Sequence, residues 1–237
     1  MHPGLVTPKT PLPGQTPAQT SAKNPLAAVA YVRDVGGPQL VPQVLALLPP
    51  EDHAALRVPP GAPTQLALTP SMWVPFHAQC HLLRAVDVVM GQGDLALLPE
   101  VGRFMAEHDI ARFFRAVLRL GNPGWVMELS SRMWRTYHDR GRWTVDRTPV
   151  SVMCALYEHP EADEAFCLTF QGWMERALEL GNARNVRVDH PVCVARGALR
   201  CVMDASWQGQ DHWWRGWRGG GNPPPRPPTR PNVIVDL

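Results

Sequence analysis

Phe166–Trp207 reads FCLTFQGWMERALELGNARNVRVDHPVCVARGALRCVMDASW and decides the fold. Phe166, Phe170, Trp173, Met174 and Ala177 fall at helical spacing, and Gly181 stops the run. From Asn185 to Val194 the period becomes two: Val186, Val188 and His190 share one face, Arg187 and Asp189 the other. Alternation returns from Leu199 to Trp207, after a turn centred on Gly197. The stretch is therefore a helix, a loop and a β-hairpin.

Three of the five cysteines, Cys167, Cys193 and Cys201, lie here, with His190 three residues before Cys193. A strand end can aim His190 and Cys193 at one point; Cys201 opens the next strand, and Cys167 comes from the covering helix. Three thiols and an imidazole make a common closed set for structural Zn2+. One ion would staple helix to hairpin, with no open position for catalysis. The competing reading is three buried thiols packed as small hydrophobes beside a surface histidine. Cys154 and Asp189 are substitute ligands.

Upstream, residues 1–24 are rich in Pro, Thr, Gln and Ala and read as a disordered tail. Ala27 to Val32 fits a short strand or a helical turn. Pro38 to Leu48 and Glu51 to Leu56 read as short helices, and Val58 to Thr69 as a loop. Three long helical patterns follow. Ser71 to Met90 is capped by Ser71 and ended by Gly91. Asp94 to Leu120 contains Pro99, which breaks it or marks its start. The third opens on Asn122 as cap with Pro123 in the first turn and closes at Gly141. Trp143 to Thr148 and Ser151 to Tyr157 form a strand pair, and a helix runs from Glu158–Glu164 to Leu180. Residues 25–210 are thus one domain, α+β, with helices packed on a small antiparallel sheet. Residues 211–237 form a Gly/Pro/Arg-rich disordered tail whose Pro224-x-x-Pro227 and Pro225-x-x-Pro228 suit an aromatic groove.

The 237 residues carry a net charge of +2, with no basic footprint for nucleic acid. No stretch approaches the ~20 apolar residues of a membrane span, and the N-terminus has no signal-peptide core. These features point to the cytoplasm, where cysteines serve as metal ligands or free thiols rather than disulfides. No GxxxxGK[ST] motif occurs. Cys80 lies within helical reach of His77 and beside His81, but nothing completes a catalytic site, so the chain reads as a non-enzyme.

Cys193-x-x-x-Gly197-x-x-x-Cys201, followed by a strand ending in Ser206-Trp207, resembles the 4-vinyl-reductase domain. Gly91-x-Gly93-Asp94, Gly102-Arg103, Trp134 with Tyr137, Gly141-x-Trp143 and Gly172-Trp173 extend the resemblance over Pro38 to Trp207. It is nearest to a paralogous myxobacterial family, a domain of unknown function. The resemblance implies a small-molecule-binding module related in fold to haem-NO-binding domains and TRAPP subunits. Aromatic-sensing regulators with this domain type bind zinc through a helical cysteine, an acidic residue and two cysteines. Cys167, His190, Cys193 and Cys201 match those positions. His190 departs from the carboxylate, and Ala198 from an aspartate after the glycine.

The expected function is a zinc-stapled small-molecule-binding or sensory domain that signals through a partner protein. Its ligand is a small apolar or aromatic molecule, and a homodimer is compatible. Candidate pocket residues are Met133, Trp134, Tyr137, Trp143, Met153, Tyr157, Phe166, Phe170 and Trp173. The alternative is a TRAPP-like scaffold subunit; a large cavity favours binding, and a filled core with an exposed apolar patch favours the scaffold.

Overall fold

The computed structural model describes residues 16–61, 63–110 and 123–208. The elements are β1 (Gln19–Ser21), α1 (Lys23–Tyr31), α2 (Val41–Ala46), α3 (Pro50–Ala55), β2 (Trp73–Pro75), α4 (Phe76–Met90), α5 (Leu98–Ile110), α6 (Gly124–Tyr137), β3 (Arg142–Arg147), β4 (Ser151–Tyr157), α7 (Glu164–Leu180), β5 (Arg184–Val192) and β6 (Cys201–Gln208). Most of the tail readings, the second half of the 94–120 helix and the Asn122 cap lie outside the described residues.

Four strands form an antiparallel sheet in the order β3-β4-β6-β5. Alternation drives it. On β6, Met203, Ala205 and Trp207 are buried, whereas Asp204, Ser206 and Gln208 are exposed. On β4, Val152, Cys154 and Leu156 are buried. These inward faces, with α6 and α7, form one core around Trp134, Trp143, Phe166 and Met174. A second core joins α1, α2, α4 and α5 around Leu45, Leu82, Leu83 and Val101. α7 is capped by Asp163, whose Oδ1 accepts from Ala165 N at 2.8 Å.

Several boundaries differ from the sequence reading. Residues 16–24, expected in the tail, belong to the fold. β1 pairs with β2, Ala18 N donates to Glu161 at 3.0 Å, and Gln19 N donates to Asp139 at 2.7 Å. Their apolar content is low, and they are held by backbone bonding to partners distant in sequence. The 27–32 segment is helical, within α1 and a following π turn. Ser71 does not cap α4: three residues of β2 intervene and α4 starts at Phe76. Pro99 lies in the first turn of α5, where its missing N–H costs no helical bond. α6 ends at Tyr137 rather than Gly141, because His138 is already extended and bridges Thr20.

Candidate metal centre and ligand cavity

The β5–β6 hairpin and α7 bring the four expected donors together. Cys167, His190, Cys193 and Cys201 each offer one ligand atom, and these atoms all lie within 4.8 Å of one another. Cys167 sits in the first turn of α7, buried against the sheet. On β5 the pairing register with β6 shifts between Asp189 and Val192, a stretch that holds His190 and Pro191. A bulge of this kind re-aims side chains, and Pro191 cannot donate to the ladder. After Cys193 a 3₁₀ turn leads to Gly197, whose φ of +95° suits glycine, and returns the chain to Cys201. Ala198 N closes the turn on Cys193 O at 3.1 Å.

Cys167 Sγ lies 3.7 Å from Cys201 Sγ and 3.8 Å from Cys193 Sγ. Sulfurs about 3.8 Å apart are the edges of a tetrahedron whose centre is about 2.3 Å from each, the usual metal–thiolate length. Val194 N points at Cys201 Sγ from 3.4 Å. His190 Nε2 is buried without a hydrogen-bond partner. Hydrogen bonds from Cys167 and Cys201 hold Cys193 well below the usual thiol range. Donation of its own S–H to Cys193 and Cys201, together with burial, pushes Cys167 well above it. A metal ion needs thiolates, so its binding would release protons here.

Phe166 and Phe170 flank Cys167 on α7 and face a second feature, a cavity of about 120 Å³ between α4, α5, α6 and α7. Six of the nine candidate pocket residues line it: Met133, Trp134, Tyr137, Phe166, Phe170 and Trp173. Trp143 stands one layer behind, stacked on Trp134 at 5.7 Å with its Nε1 donating to Ser130 Oγ at 3.1 Å. Met153 and Tyr157 do not reach the cavity. Both lie on the β4 face opposite Val152, Cys154 and Leu156, and the Arg142 guanidinium covers the Tyr157 ring at 4.6 Å. Strand alternation decides this, since only every second residue faces the helices.

The sequence reading missed the polar part of the wall. Asn24, Gln79, Ser130, His138 and Thr169 also line the cavity. Gln79 sits three residues after Phe76 and four before Leu83, on the buried face of α4, a polar residue at an apolar position. That was the available signal. His138, just past α6, carries no periodic signal. Its imidazole stacks on Trp134 at 4.3 Å, and burial lowers its pKa to about 3. His77 and His81 turn to the buried Asp52, at 3.6 and 2.5 Å, rather than to Cys80.

No protein-family model matches the chain. No curated protein matches it either. Solved structures do. An H-NOX protein from S. oneidensis in the Fe(II) ligation state aligns with a TM-score of 0.60 at 14% identity, over 81% of this chain and 98% of its own. Its Fe(II)NO form gives 0.58 at 13%, over 80% and 99%. An Fe(II) unliganded H-NOX protein from K. algicida gives 0.54 at 12%, over 81% and 99%.

These structures correct the expected cofactor. They are described with Fe(II) iron and, in further H-NOX work, with haem, so structural zinc is not the cofactor this fold carries in them. The inference from spacing failed because four donors at tetrahedral separations define a cage without naming its ion.

Haem does not fit this chain's cavity. An engineered cavity of about 150 Å³ takes benzene, and a porphyrin is far larger than the 120 Å³ found here. No described wall residue is Lys or Arg, so haem carboxylates have no cationic partner there. What the comparison establishes is the architecture: the chain has the α+β fold of the haem-NO-binding proteins.

Proposed function

We propose that the chain is a non-catalytic sensory domain that binds a small, largely apolar molecule and passes its occupancy to a partner protein. The observation that carries this reading is the cavity walled by Trp134, Phe166, Phe170 and Trp173. Apolar pockets with a few converging polar groups are the usual form of small-molecule sites. The size of the space, near that of a benzene-binding cavity, supports a compact ligand. The space also favours binding over the scaffold alternative, which calls for a filled core. The motifs from Gly91 to Trp207 support placing the domain with the 4-vinyl-reductase sensors, nearest the myxobacterial family.

Cys167, His190, Cys193 and Cys201 are proposed to hold a thiolate-seeking divalent ion. The sulfur separations of 3.7 and 3.8 Å support this. Such an ion would fix α7 against the hairpin and hold Phe166 and Phe170 in place. Differential scanning fluorimetry of the full chain with benzene and toluene tests the sensory reading. A ligand that binds only the native state raises the melting temperature in proportion to ln(1 + [L]/Kd). Saturable stabilisation is expected. No shift, together with filled density at the cavity in a crystal structure, would move the reading to the scaffold.

A further inference from the structure

Two residues of the cavity wall each carry a buried polar atom without the partner that such groups ordinarily have. Gln79 is 2% exposed, and its Oε1 makes no hydrogen bond. His138 is 4% exposed, and its Nδ1 makes none. Neighbouring polar wall residues are satisfied. Asn24 Nδ2 donates to Thr20 Oγ1 at 2.8 Å, Ser130 Oγ to Met127 O at 2.7 Å, and Thr169 Oγ1 to Ala165 O at 2.8 Å. A core with no further task would be more stable with Leu or Met at position 79. The two residues belong to separate elements, α4 and the position after α6, and both line the same space.

Chemistry narrows what could satisfy them. A glutamine Oε1 only accepts, so its partner must be a donor. Nδ1 of an uncharged imidazole donates or accepts according to tautomer. No described wall residue is Asp, Glu, Lys or Arg, so a charged ligand would be buried without a counter-charge. The flat rings of Trp134, Phe170 and Trp173 suit a planar guest.

Resting on the cavity as the binding site, we propose that its ligand class is an uncharged N-heteroaromatic ring. The ring's N–H donates to Gln79 Oε1, and a second polar atom, a ring nitrogen or carbonyl oxygen, meets His138 Nδ1. Azoles and aromatic lactams have this pair of groups. A hydrocarbon ring fills the space but leaves both atoms unsatisfied, and an aromatic acid adds an unpaired charge.

Titration calorimetry of the full chain with 2-pyridone, pyrazole, benzene and benzoate tests the proposal. 2-Pyridone and pyrazole are expected to bind about tenfold or more tighter than benzene, because a site built to hydrogen-bond rejects an analogue lacking the group. Benzoate is expected not to bind. Gln79→Leu should weaken 2-pyridone about tenfold, change benzene by less than about threefold, and raise the melting temperature of the ligand-free chain. His138→Phe should act in the same direction on 2-pyridone. Benzene binding as tightly as 2-pyridone, or 2-pyridone unaffected by Gln79→Leu, would overturn the ligand class and leave the cavity reading standing. No binding by any of the four would overturn both. The ranking in the unsubstituted chain decides the matter even if a variant fails to fold.

Discussion

Gly102 of α5 and Gly172 of α7 let the two helix backbones touch. A Cβ on Gly102 would lie 1.8 Å from Thr169 O, and one on Gly172 would lie 1.8 Å from Pro99 O. Both obstacles are backbone atoms, which cannot swing aside. Gly102→Ala and Gly172→Ala are each expected to cost about 3 kcal/mol or more, at or beyond the upper end for overpacking. The cost arises although alanine is the better helix former. Urea unfolding monitored by tryptophan fluorescence measures it. Losses below about 1 kcal/mol would show that the helices separate easily. Because α7 carries Thr169, Phe170 and Trp173, the alanines should also weaken ligand binding at the cavity.

Much of this architecture is legible in the sequence because it is local. The period of Phe166, Phe170, Trp173, Met174 and Ala177 announces α7, and the alternation from Leu199 to Trp207 announces β6. β1 is not legible: Gln19–Ser21 has no apolar signature, and its position depends on pairing with Trp73–Pro75. The cavity shows the same division. Helical period puts Trp134 on the inward stripe of one helix and Phe170 and Trp173 on that of another. It cannot say which face of β4 meets the helices, so Met153 and Tyr157 look equivalent to Val152 and Leu156. The clustering of Cys167, His190, Cys193 and Cys201 is legible from the helix–hairpin pattern. The identity of an ion is not, because several thiophilic metals accept the same donors.

The cysteine cluster should discriminate among the thiols of the chain. Titration with Co2+ is expected to give a thiolate-to-metal charge-transfer band in the unsubstituted protein. Cys167→Ser, Cys193→Ser and Cys201→Ser should each reduce the band and lower metal affinity by tenfold or more. Cys80→Ser should not, since Cys80 is buried away from the cluster and its thiol is pushed well above the usual range by burial. An unchanged band in Cys201→Ser would show that the sulfurs do not share an ion.

Arg84 of α4 reaches Asp163 at the start of α7, its Nη2 lying 3.0 and 2.9 Å from the two carboxylate oxygens. Both side chains are 7% exposed. Arg84→Met would leave the carboxylate buried without its counter-charge, which costs about 3–5 kcal/mol. Arg84→Lys should recover part of this, since an ammonium restores charge but not the planar guanidinium geometry. Chemical denaturation of the three proteins at neutral pH gives the comparison. Equal stability of Arg84→Met and the parent would mean that water replaces the arginine.

His138 and His159 give the domain an acid-sensitive centre. Burial lowers their pKa values from 6.5 to about 3 and about 4, with Arg140 also opposing protonation of His159. Each ring packs against Phe166, at 5.5 and 6.2 Å. Unfolding exposes both imidazoles and returns them to their ordinary pKa. Between about pH 6.5 and pH 4 the unfolded chain therefore binds more protons than the folded one, and stability rises with pH. The contribution is fully present above pH 6.5. It is lost as pH falls, by up to about 1.4 kcal/mol per pH unit for each histidine, and levels off below the folded values. Urea unfolding at pH 7, 6 and 5 should show this slope after carboxylate effects are matched with His138→Phe and His159→Phe. Each variant should remove about one histidine's share of the slope. A parent and a double variant with identical pH profiles would show that these imidazoles are hydrated in the folded state.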